Sequence, residues 1–382
     1  MAIAQINSTG LELIPIVFYS VYLIYLLTFL LIFRGWLQIP VFSNTSLRIT
    51  VRISVIVAAR NEEDNLLRLL DCLSRQDYPE ERFEVIIVDD HSDIPIEQLT
   101  GIRTSPVKNL KILSLDESQH GKKQALIKGA RAVDNELLLF TDADCLPGPN
   151  WLSSFAAFYE EKKTDMIIGL VDYPEDLCIP GGFYRLDFLS MIITGAGTAS
   201  LGHPTLCNGA NLAIRREVYL NYSDRIRPEI PSGDDIFLLH SLKKSPYNEI
   251  KILKNREALI KTDLPGSLHE FLSQRIRWAS KSKYYYDRLT IFLGIIVILM
   301  NMCLLSGAVS FLTGITGINL LLIGLVVKII ADSLLLGAGL GFFKGRILLI
   351  LLPIVEILYP FYILYVLIAS SLNHYTWKKR EY

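Results

Sequence analysis

The chain has 382 residues, a formal net charge of −1, 51 % hydrophobic residues and 20 % charged residues. This length allows about two domains, and the near-neutral charge argues against nucleic acid as a partner. The five cysteines lie far apart, without a C-x-x-C pair or a Cys/His cluster. The sequence therefore indicates neither a zinc site nor a disulfide framework, as expected in a reducing cytoplasm.

Residues 14–33 form the first long apolar stretch and carry no charge. A helix of about 20 apolar residues crosses the hydrocarbon core of a bilayer, so this stretch is long enough for one span. No Lys or Arg precedes it, and no small-x-small cleavage pattern follows it. We therefore predict an uncleaved anchor rather than a secretory signal peptide.

A second apolar stretch covers residues 289–327 and is too long for a single span. The turn-forming residues 313–317 divide it into a hairpin, whose second arm continues to about residue 340. A further span is predicted from residue 347 to about residue 368. Within the third span, Lys328 and Asp332 are spaced i, i+4, which favours a buried ion pair over a polar path. The sequence thus predicts an integral membrane protein with one span before a long polar region and three after it.

Basic residues beside the spans predict the orientation. They follow the first span, precede the second, and lie between the third and fourth: Arg34, Arg48, Arg52, Lys281, Lys283, Arg288, Lys344 and Arg346. Because cytoplasmic flanks are rich in Lys and Arg, we expect the middle of the chain in the cytoplasm, at a plasma (inner) membrane. The tail at 378–380 disagrees, since four spans would place it outside. Either one C-terminal segment lies in the interface or the rule is overridden there.

Residues 47–288 alternate between strand and helix patterns, which predicts one α/β domain with a mostly parallel, doubly wound sheet. The predicted strands cover residues 53–58, 84–88, 110–115, 137–140 and 166–171. Helices are predicted between them, one with four leucines on one face and one starting near Pro149. The apolar, Gly-rich residues 181–204 favour an element at the membrane surface, with burial in the core as the alternative.

Three predicted strands end in polar or acidic residues, namely Arg60, Asn61 and Glu62, then Asp89 and Asp90, and finally Asp142 and Asp144. The carboxyl ends of parallel strands share one edge, where ligands of open α/β sheets bind. Two acids spaced i, i+2 can share a hard cation whose other ligands are phosphate oxygens. A solvated turn is the alternative, because Asp is a common turn former. The convergence of the three strand ends favours the binding site.

Further candidates are weaker when each is taken alone. Lys122 follows a loop glycine, which suits a phosphate contact or a solvated lysine equally well. Asp234 and Asp235 begin an apolar helix, where acids are ordinary caps and dipole partners. The segment 274–278 precedes the second span and contains Arg and Trp. Both residues suit an anchor at the membrane interface. Alternatively, the Arg would clamp a phosphate and the Trp would stack on a sugar ring. No dinucleotide-binding fingerprint and no P-loop is present.

Six motifs occur in chain order: Val-Ile-Val-Ala-Ala-Arg-Asn-Glu (55–62), Val-Ile-Ile-Val-Asp-Asp-His-Ser-Asp (85–93), Gly-Lys-Lys-Gln-Ala-Leu (121–126), Thr-Asp-Ala-Asp (141–144), Gly-Asp-Asp (233–235) and Gln-Arg-Ile-Arg-Trp (274–278). Together, over residues 52–288, this set resembles the membrane-bound family 2 glycosyltransferases. That group includes cellulose, chitin, hyaluronan and poly-N-acetylglucosamine synthases and ceramide glucosyltransferase.

The resemblance implies a GT-A nucleotide-sugar domain at residues 47–288, an N-terminal membrane anchor at 1–46 and transmembrane helices with a short tail at 289–382. It implies Mg²⁺ or Mn²⁺ held by Asp142 and Asp144, and Asp235 as the general base. Many relatives have Glu where this chain has Asp234, which leaves open which of the two acids acts. The implied donor-binding residues are Arg60, Asn61, Glu62, Asp89, Asp90, Lys122, Asp142, Gln274, Arg277 and Trp278.

The predicted reaction is inverting transfer of a sugar from a nucleotide-sugar donor, expected to be UDP-linked, to a lipid or lipid-linked acceptor. Membrane lipids are the expected surroundings. A processive polysaccharide synthase with a saccharide acceptor is the alternative within the class, although four spans make a secretion channel harder to build. A non-catalytic nucleotide-sugar-binding membrane partner is the alternative of another class, and the intact acids argue against it. A sugar nucleotidyltransferase is weaker, because no Gly-rich activating loop follows the first strand.

Overall fold

The computed structural model describes residues 2–43, 50–175, 178–225, 233–245, 248–372, 376–377 and 380–381. Arg48, the boundary between residues 46 and 47, and the orientation of the tail at Lys378 and Lys379 lie outside the described residues. The predicted division into an anchor, a catalytic domain and a helical C-terminal region stays a prediction.

The helices are α1 (Ala2–Gln38), α2 (Glu63–Ser74), α3 (Thr100–Arg103), α4 (Lys122–Arg131), α5 (Trp151–Lys162), α6 (Ile179–Ser200), α7 (Arg216–Tyr222), α8 (Asp234–Lys243), α9 (Leu268–Ala279), α10 (Arg288–Leu312), α11 (Ile318–Phe342) and α12 (Leu352–Leu372). The strands are β1 (Ile53–Ala59), β2 (Phe83–Asp89), β3 (Leu110–Ser114), β4 (Leu137–Asp142), β5 (Cys145–Pro147), β6 (Met166–Gly169), β7 (Val171–Asp172), β8 (Leu212–Arg215), β9 (Ile250–Leu253), β10 (Ile260–Thr262), β11 (Thr376–Trp377) and β12 (Arg380–Glu381).

The main sheet has seven strands in the order β3-β2-β1-β4-β8-β6-β9. All neighbouring pairs are parallel except those of β8, which is antiparallel to β4 and β6. The apolar side chains of β1, β2 and β4 are buried on both faces, as parallel strands covered by helices require. One face packs against α2 and α5, and the other packs against α4 and the apolar helices. The predicted mostly parallel sheet is therefore confirmed.

The strand predicted at residues 166–171 is divided in two. Leu170 separates β6 from β7, and its carbonyl accepts hydrogen bonds from the Asn211 side chain at 2.7 Å and from the Ile260 backbone at 3.2 Å. These bonds draw the chain out of the main sheet, and β7 pairs instead with β10 in a second sheet of three strands. The antiparallel β8 has no counterpart in the sequence prediction.

Helix α6 lies inside the protein, as the alternative prediction of burial in the core requires, and its placement at a membrane surface stays a prediction. The helix is mostly buried between the main sheet and the apolar helices. Its small residues allow this close packing, because a Cβ added at Gly197 would lie 2.6 Å from the carbonyl oxygen of Ile32 in α1. A Cβ at Gly195 would lie 2.9 Å from the carbonyl oxygen of Leu206.

Four helices are long and apolar enough to cross a bilayer, namely residues 13–38 of α1, then α10 and α11, and finally residues 346–372. This agrees with the prediction of one span before the polar region and three after it. Lys328 of α11 forms the predicted ion pair with Asp332 at 2.7 Å and also pairs with Glu356 of α12. Because the Tyr25 hydroxyl of α1 donates to Asp332 at 2.7 Å, this cluster joins three of the apolar helices.

Candidate active site

The strand ends that carry the predicted acids lie side by side. β1 is the central strand of β2-β1-β4, with Ala59 opposite Asp89 and Ala58 opposite Asp142. Because all three strands are parallel, the residues that follow them emerge at the same edge of the sheet. The sequence prediction of a shared edge is confirmed.

Asp89 holds the loop that follows β2. Its two carboxylate oxygens accept hydrogen bonds from the backbone N–H groups of Ser92 at 2.9 Å and Ile96 at 3.2 Å. Arg60 donates to the carbonyl oxygen of Asp90 at 2.8 Å, which ties the end of β1 to the same loop. Both oxygens of Asp89 are thus used within the loop, which makes Asp89 a weak candidate for a nucleoside contact.

Asn61 and Glu62 continue from β1 into α2. Asn61 has a φ of +52°. Its side-chain oxygen accepts a hydrogen bond from the backbone N–H of Asp93 at 2.7 Å, and its side-chain amide donates to the Asp93 carboxylate at 3.2 Å. Asn is one of the few residues that tolerate this left-handed conformation. Glu62 accepts a hydrogen bond from the Asn65 amide at 2.7 Å. The first turn after β1 is therefore firmly held against the loop after β2.

Lys122 connects two of the predicted acidic sites. Its ammonium lies 2.5 Å from Asp142 Oδ1, at the end of β4, and 4.0 Å from Asp234 Oδ2, at the start of α8. Burial by itself would lower the pKa of Lys122, but Asp142 and Asp234 raise the pKa above its ordinary value. Lys122 is therefore a charged, ion-paired residue of the site, and the solvated alternative is wrong.

Asp235 lies at the N-terminal end of α8 with both carboxylate oxygens held by backbone N–H groups. Oδ2 accepts from Gly209 at 2.9 Å, and Oδ1 accepts from Ile236 at 2.8 Å. Burial, followed by the charge of Asp234, raises the pKa of Asp235 above its ordinary value. A carboxylate with a raised pKa is a better proton acceptor than an ordinary surface aspartate.

The motif at 274–278 lies on α9. Its second residue, Arg275, was given no role from the sequence, yet it contacts both Gln274 and Trp278. The Arg275 guanidinium lies between the rings of Phe271 and Trp278, at 4.5 and 4.4 Å from their centroids. It also donates to the side-chain oxygen of Gln274 and forms a buried ion pair with Asp187 of α6. Sequence reasoning assigned no role to Arg275 or Asp187, because neither has a spacing that marks it as a partner of the other.

A cavity of about 1050 Å³ joins the sheet edge to the interior of the apolar helices. Nine of the predicted site residues line it, namely Glu62, Lys122, Asp142, Asp144, Asp234, Asp235, Gln274, Arg277 and Trp278. Arg60, Asn61, Asp89 and Asp90 belong instead to the adjoining loops after β1 and β2. The far end of the cavity is lined by side chains such as Leu293, Val297, Leu336 and Val355, together with the Lys328 cluster. One space thus contacts both the acids and the apolar helices.

Two sets of residues are suited to a metal ion. Asp142 and Asp144 line the cavity and offer the carboxylate oxygens that Mg²⁺ and Mn²⁺ prefer, and Asp142 already faces the positive charge of Lys122. Among the described residues, Asp90, His91 and His120 also bring three ligand atoms within 4.8 Å of one another. The sequence analysis did not predict this second group.

Residues 54–222 match the sequence model of the family described as glycosyl transferase family 2. The chain is 26 % identical to the glycosyltransferase AglE of Haloferax volcanii over 166 residues, which cover 44 % of this chain and 53 % of that protein. It is 29 % identical to a 4,4'-diaponeurosporenoate glycosyltransferase of Staphylococcus haemolyticus over 220 residues, which cover 57 % and 54 %. The chain thus spans about half the length of these curated relatives.

Among solved structures, the chain resembles the mannosyltransferase PcManGT of Pyrobaculum calidifontis in complex with GDP-Man and Mn²⁺. The TM-score is 0.56 at 19 % identity, and the match covers 95 % of this chain and 98 % of the other. At this identity the similarity establishes the fold. Residues 54–222 therefore match the sequence model of family 2 glycosyltransferases, and the chain has the fold of a GT-A-like sheet with one apolar helix before it and three after it.

Proposed function

We propose that this protein transfers a sugar from a nucleotide-sugar donor, UDP-linked by preference, to a lipid or lipid-linked acceptor, with inversion at the anomeric carbon. The observation that carries this proposal is the single cavity shared by the acids of the sheet edge and the apolar helices. A lipid acceptor needs such a space, because its chain stays in the membrane while its head reaches the donor.

The donor is proposed to bind at the sheet edge. Asp142 and Asp144 would hold Mg²⁺ or Mn²⁺, and the bound ion would neutralise the charge that develops on the departing diphosphate. The nucleotide sugar and the Mn²⁺ bound to PcManGT support this assignment. Asp90 is the proposed nucleoside contact, and Gln274, Arg277 and Trp278 face the donor from α9.

Asp235 is proposed to accept the proton of the acceptor hydroxyl. Its carboxylate is fixed by two backbone N–H groups and lines the cavity. The Asp234 carboxylate instead faces the Lys122 ammonium at 4.0 Å, so Asp235 is the proposed base of the two. Proton removal lets the hydroxyl oxygen attack the anomeric carbon in one step as the diphosphate leaves on the opposite side.

The acceptor is proposed to enter from the bilayer, with the domain at residues 47–288 in the cytoplasm. The apolar end of the cavity, between α10, α11 and α12, fits a hydrocarbon chain. The similarity to the 4,4'-diaponeurosporenoate glycosyltransferase also supports a lipid acceptor.

The test uses the full chain in lipid nanodiscs with radiolabelled nucleotide sugars, Mn²⁺ and extracted membrane lipids. We expect a labelled lipid that carries a single sugar. Asp235→Asn should still bind the donor and should lose transfer, whereas the exposed control Asp134→Asn should match the wild type. A ladder of polymers would favour a polysaccharide synthase. Absence of both donor binding and transfer would favour a non-catalytic partner.

A further inference from the structure

Lys281 is a buried lysine that is not among the predicted site residues. It follows Trp278 by three residues, just beyond the end of α9, and its side chain lines the cavity with 6 % exposure. Among the described residues, its ammonium makes no hydrogen bond and has no carboxylate oxygen within 4.0 Å. Lys122 is different, because its ammonium is paired with Asp142.

An unpaired buried ammonium destabilises a protein unless a ligand compensates its charge. Burial lowers the pKa of Lys281 to about 8, although the charge of Asp235 acts in the opposite direction. The other charges that it senses are Asp234, Arg277 and Lys122. The side chain is also well placed, because its Cδ lies 3.1 Å from the position of a Cβ at Gly233, beside the N-terminus of α8.

We propose that the Lys281 ammonium binds a phosphate group in this cavity. The phosphate belongs either to the diphosphate of the donor or to a phosphorylated acceptor lipid. The inference rests on the proposed function, and it adds a binding residue that the motif at 274–278 does not contain. A lysine is suited to this role because its compact charge contacts phosphate oxygens without a fixed geometry.

The location of Lys281 supports this role. Asp235, the proposed base, lines the same cavity, so a phosphate held by Lys281 would share one space with the proposed base. A cation there stabilises negative charge on the leaving diphosphate without a proton transfer.

The test compares Lys281→Met with Lys283→Met, a matched control at an exposed lysine two residues along the chain. Both variants are measured as full-length protein in nanodiscs for UDP binding with Mn²⁺ and for the KM of the acceptor. We expect Lys281→Met to weaken UDP binding roughly 10- to 100-fold, as for the loss of one charged hydrogen bond. Lys281→Arg should recover part of this loss, and Lys283→Met should match the wild type.

Thermal unfolding of the ligand-free protein separates binding from structure. Because methionine removes an unpaired buried charge, Lys281→Met should melt no lower than the wild type. If Lys281→Met binds UDP like the wild type but has a higher KM for a phosphorylated acceptor, the phosphate that Lys281 binds belongs to that acceptor. Unchanged values for both ligands in an active enzyme would overturn the inference. If the wild type transfers no sugar, binding of inorganic diphosphate to wild type and Lys281→Met still tests Lys281 separately.

Discussion

Arg275 and Asp187 form a buried ion pair, with 2.6 Å between Nε and Oδ2 and side chains that are each 4 % exposed. The other oxygen of Asp187 accepts a hydrogen bond from the Tyr359 hydroxyl of α12 at 3.1 Å. The helix that carries Gln274 and Trp278 is therefore joined through this pair to an apolar helix of the C-terminal region. The position of the proposed donor-binding side chains thus depends on helices that are distant in sequence.

Asp187→Ala should be strongly destabilising, because it leaves the Arg275 charge buried without its partner. Loss of one member of a buried ion pair costs about 3–5 kcal/mol. Arg68 and Asp263 form an exposed pair at 3.0 Å, with both side chains 46 % exposed, so Asp263→Ala should cost less than about 1 kcal/mol. Unfolding of both variants in the same nanodiscs measures the difference, and equal stabilities would contradict the structural role of Asp187.

Removal of the metal should stop transfer, because the charge of the departing diphosphate would then lack its neutralising cation. Chelation with EDTA followed by titration with Mn²⁺ measures this dependence. Asp144→Asn should raise the Mn²⁺ concentration that gives half-maximal activity, since one anionic ligand is lost. Asp116→Asn, a control with an exposed carboxylate, should leave that concentration unchanged. Full activity of Asp144→Asn at the wild-type Mn²⁺ concentration would remove Asp144 from the metal site.

The pH dependence of kcat/KM should be bell-shaped. Asp235 acts as its carboxylate, so activity is lost as the pH falls through its raised pKa. Lys281 acts as its ammonium, so activity is also lost as the pH rises above about 8. In Lys281→Arg the alkaline limb should move to higher pH, because a guanidinium stays charged, while the acidic limb stays in place. If the wild type and Lys281→Arg have the same alkaline limb, a group other than Lys281 causes the loss of activity at high pH.

The cluster of Lys328, Asp332 and Glu356 predicts unequal losses of stability for two variants. Lys328→Met leaves Asp332 and Glu356 buried without their cation and should destabilise the protein by about 3–5 kcal/mol. Glu356→Gln keeps the ion pair between Lys328 and Asp332, so its effect should be much smaller. Melting temperatures in one detergent compare the variants. A Glu356→Gln protein as unstable as Lys328→Met would show that the cluster needs both acids.

The sequence by itself determined the features that depend on local patterns. The apolar stretches indicated four spans because a bilayer requires about 20 apolar residues per helix. The β-branched strands at Ile53 and Val85 and the apolar strand before Asp142 indicated a parallel sheet with acids at one edge. These patterns are local, because an apolar strand or the apolar face of a helix can be recognised from a few neighbouring residues.

Only the tertiary structure decided which side chains meet across long separations. Lys281 looked like one of several basic residues beside a span, and its burial depends on how the chain just after α9 lies beside Gly233, at the start of α8. Arg275 and Asp187 are 88 residues apart, and Lys328 and Glu356 are 28 apart. Side-chain partners at such distances follow from helix packing, which no local periodicity encodes. For the same reason, the cavity that joins the acids to the apolar helices became visible only in the folded chain.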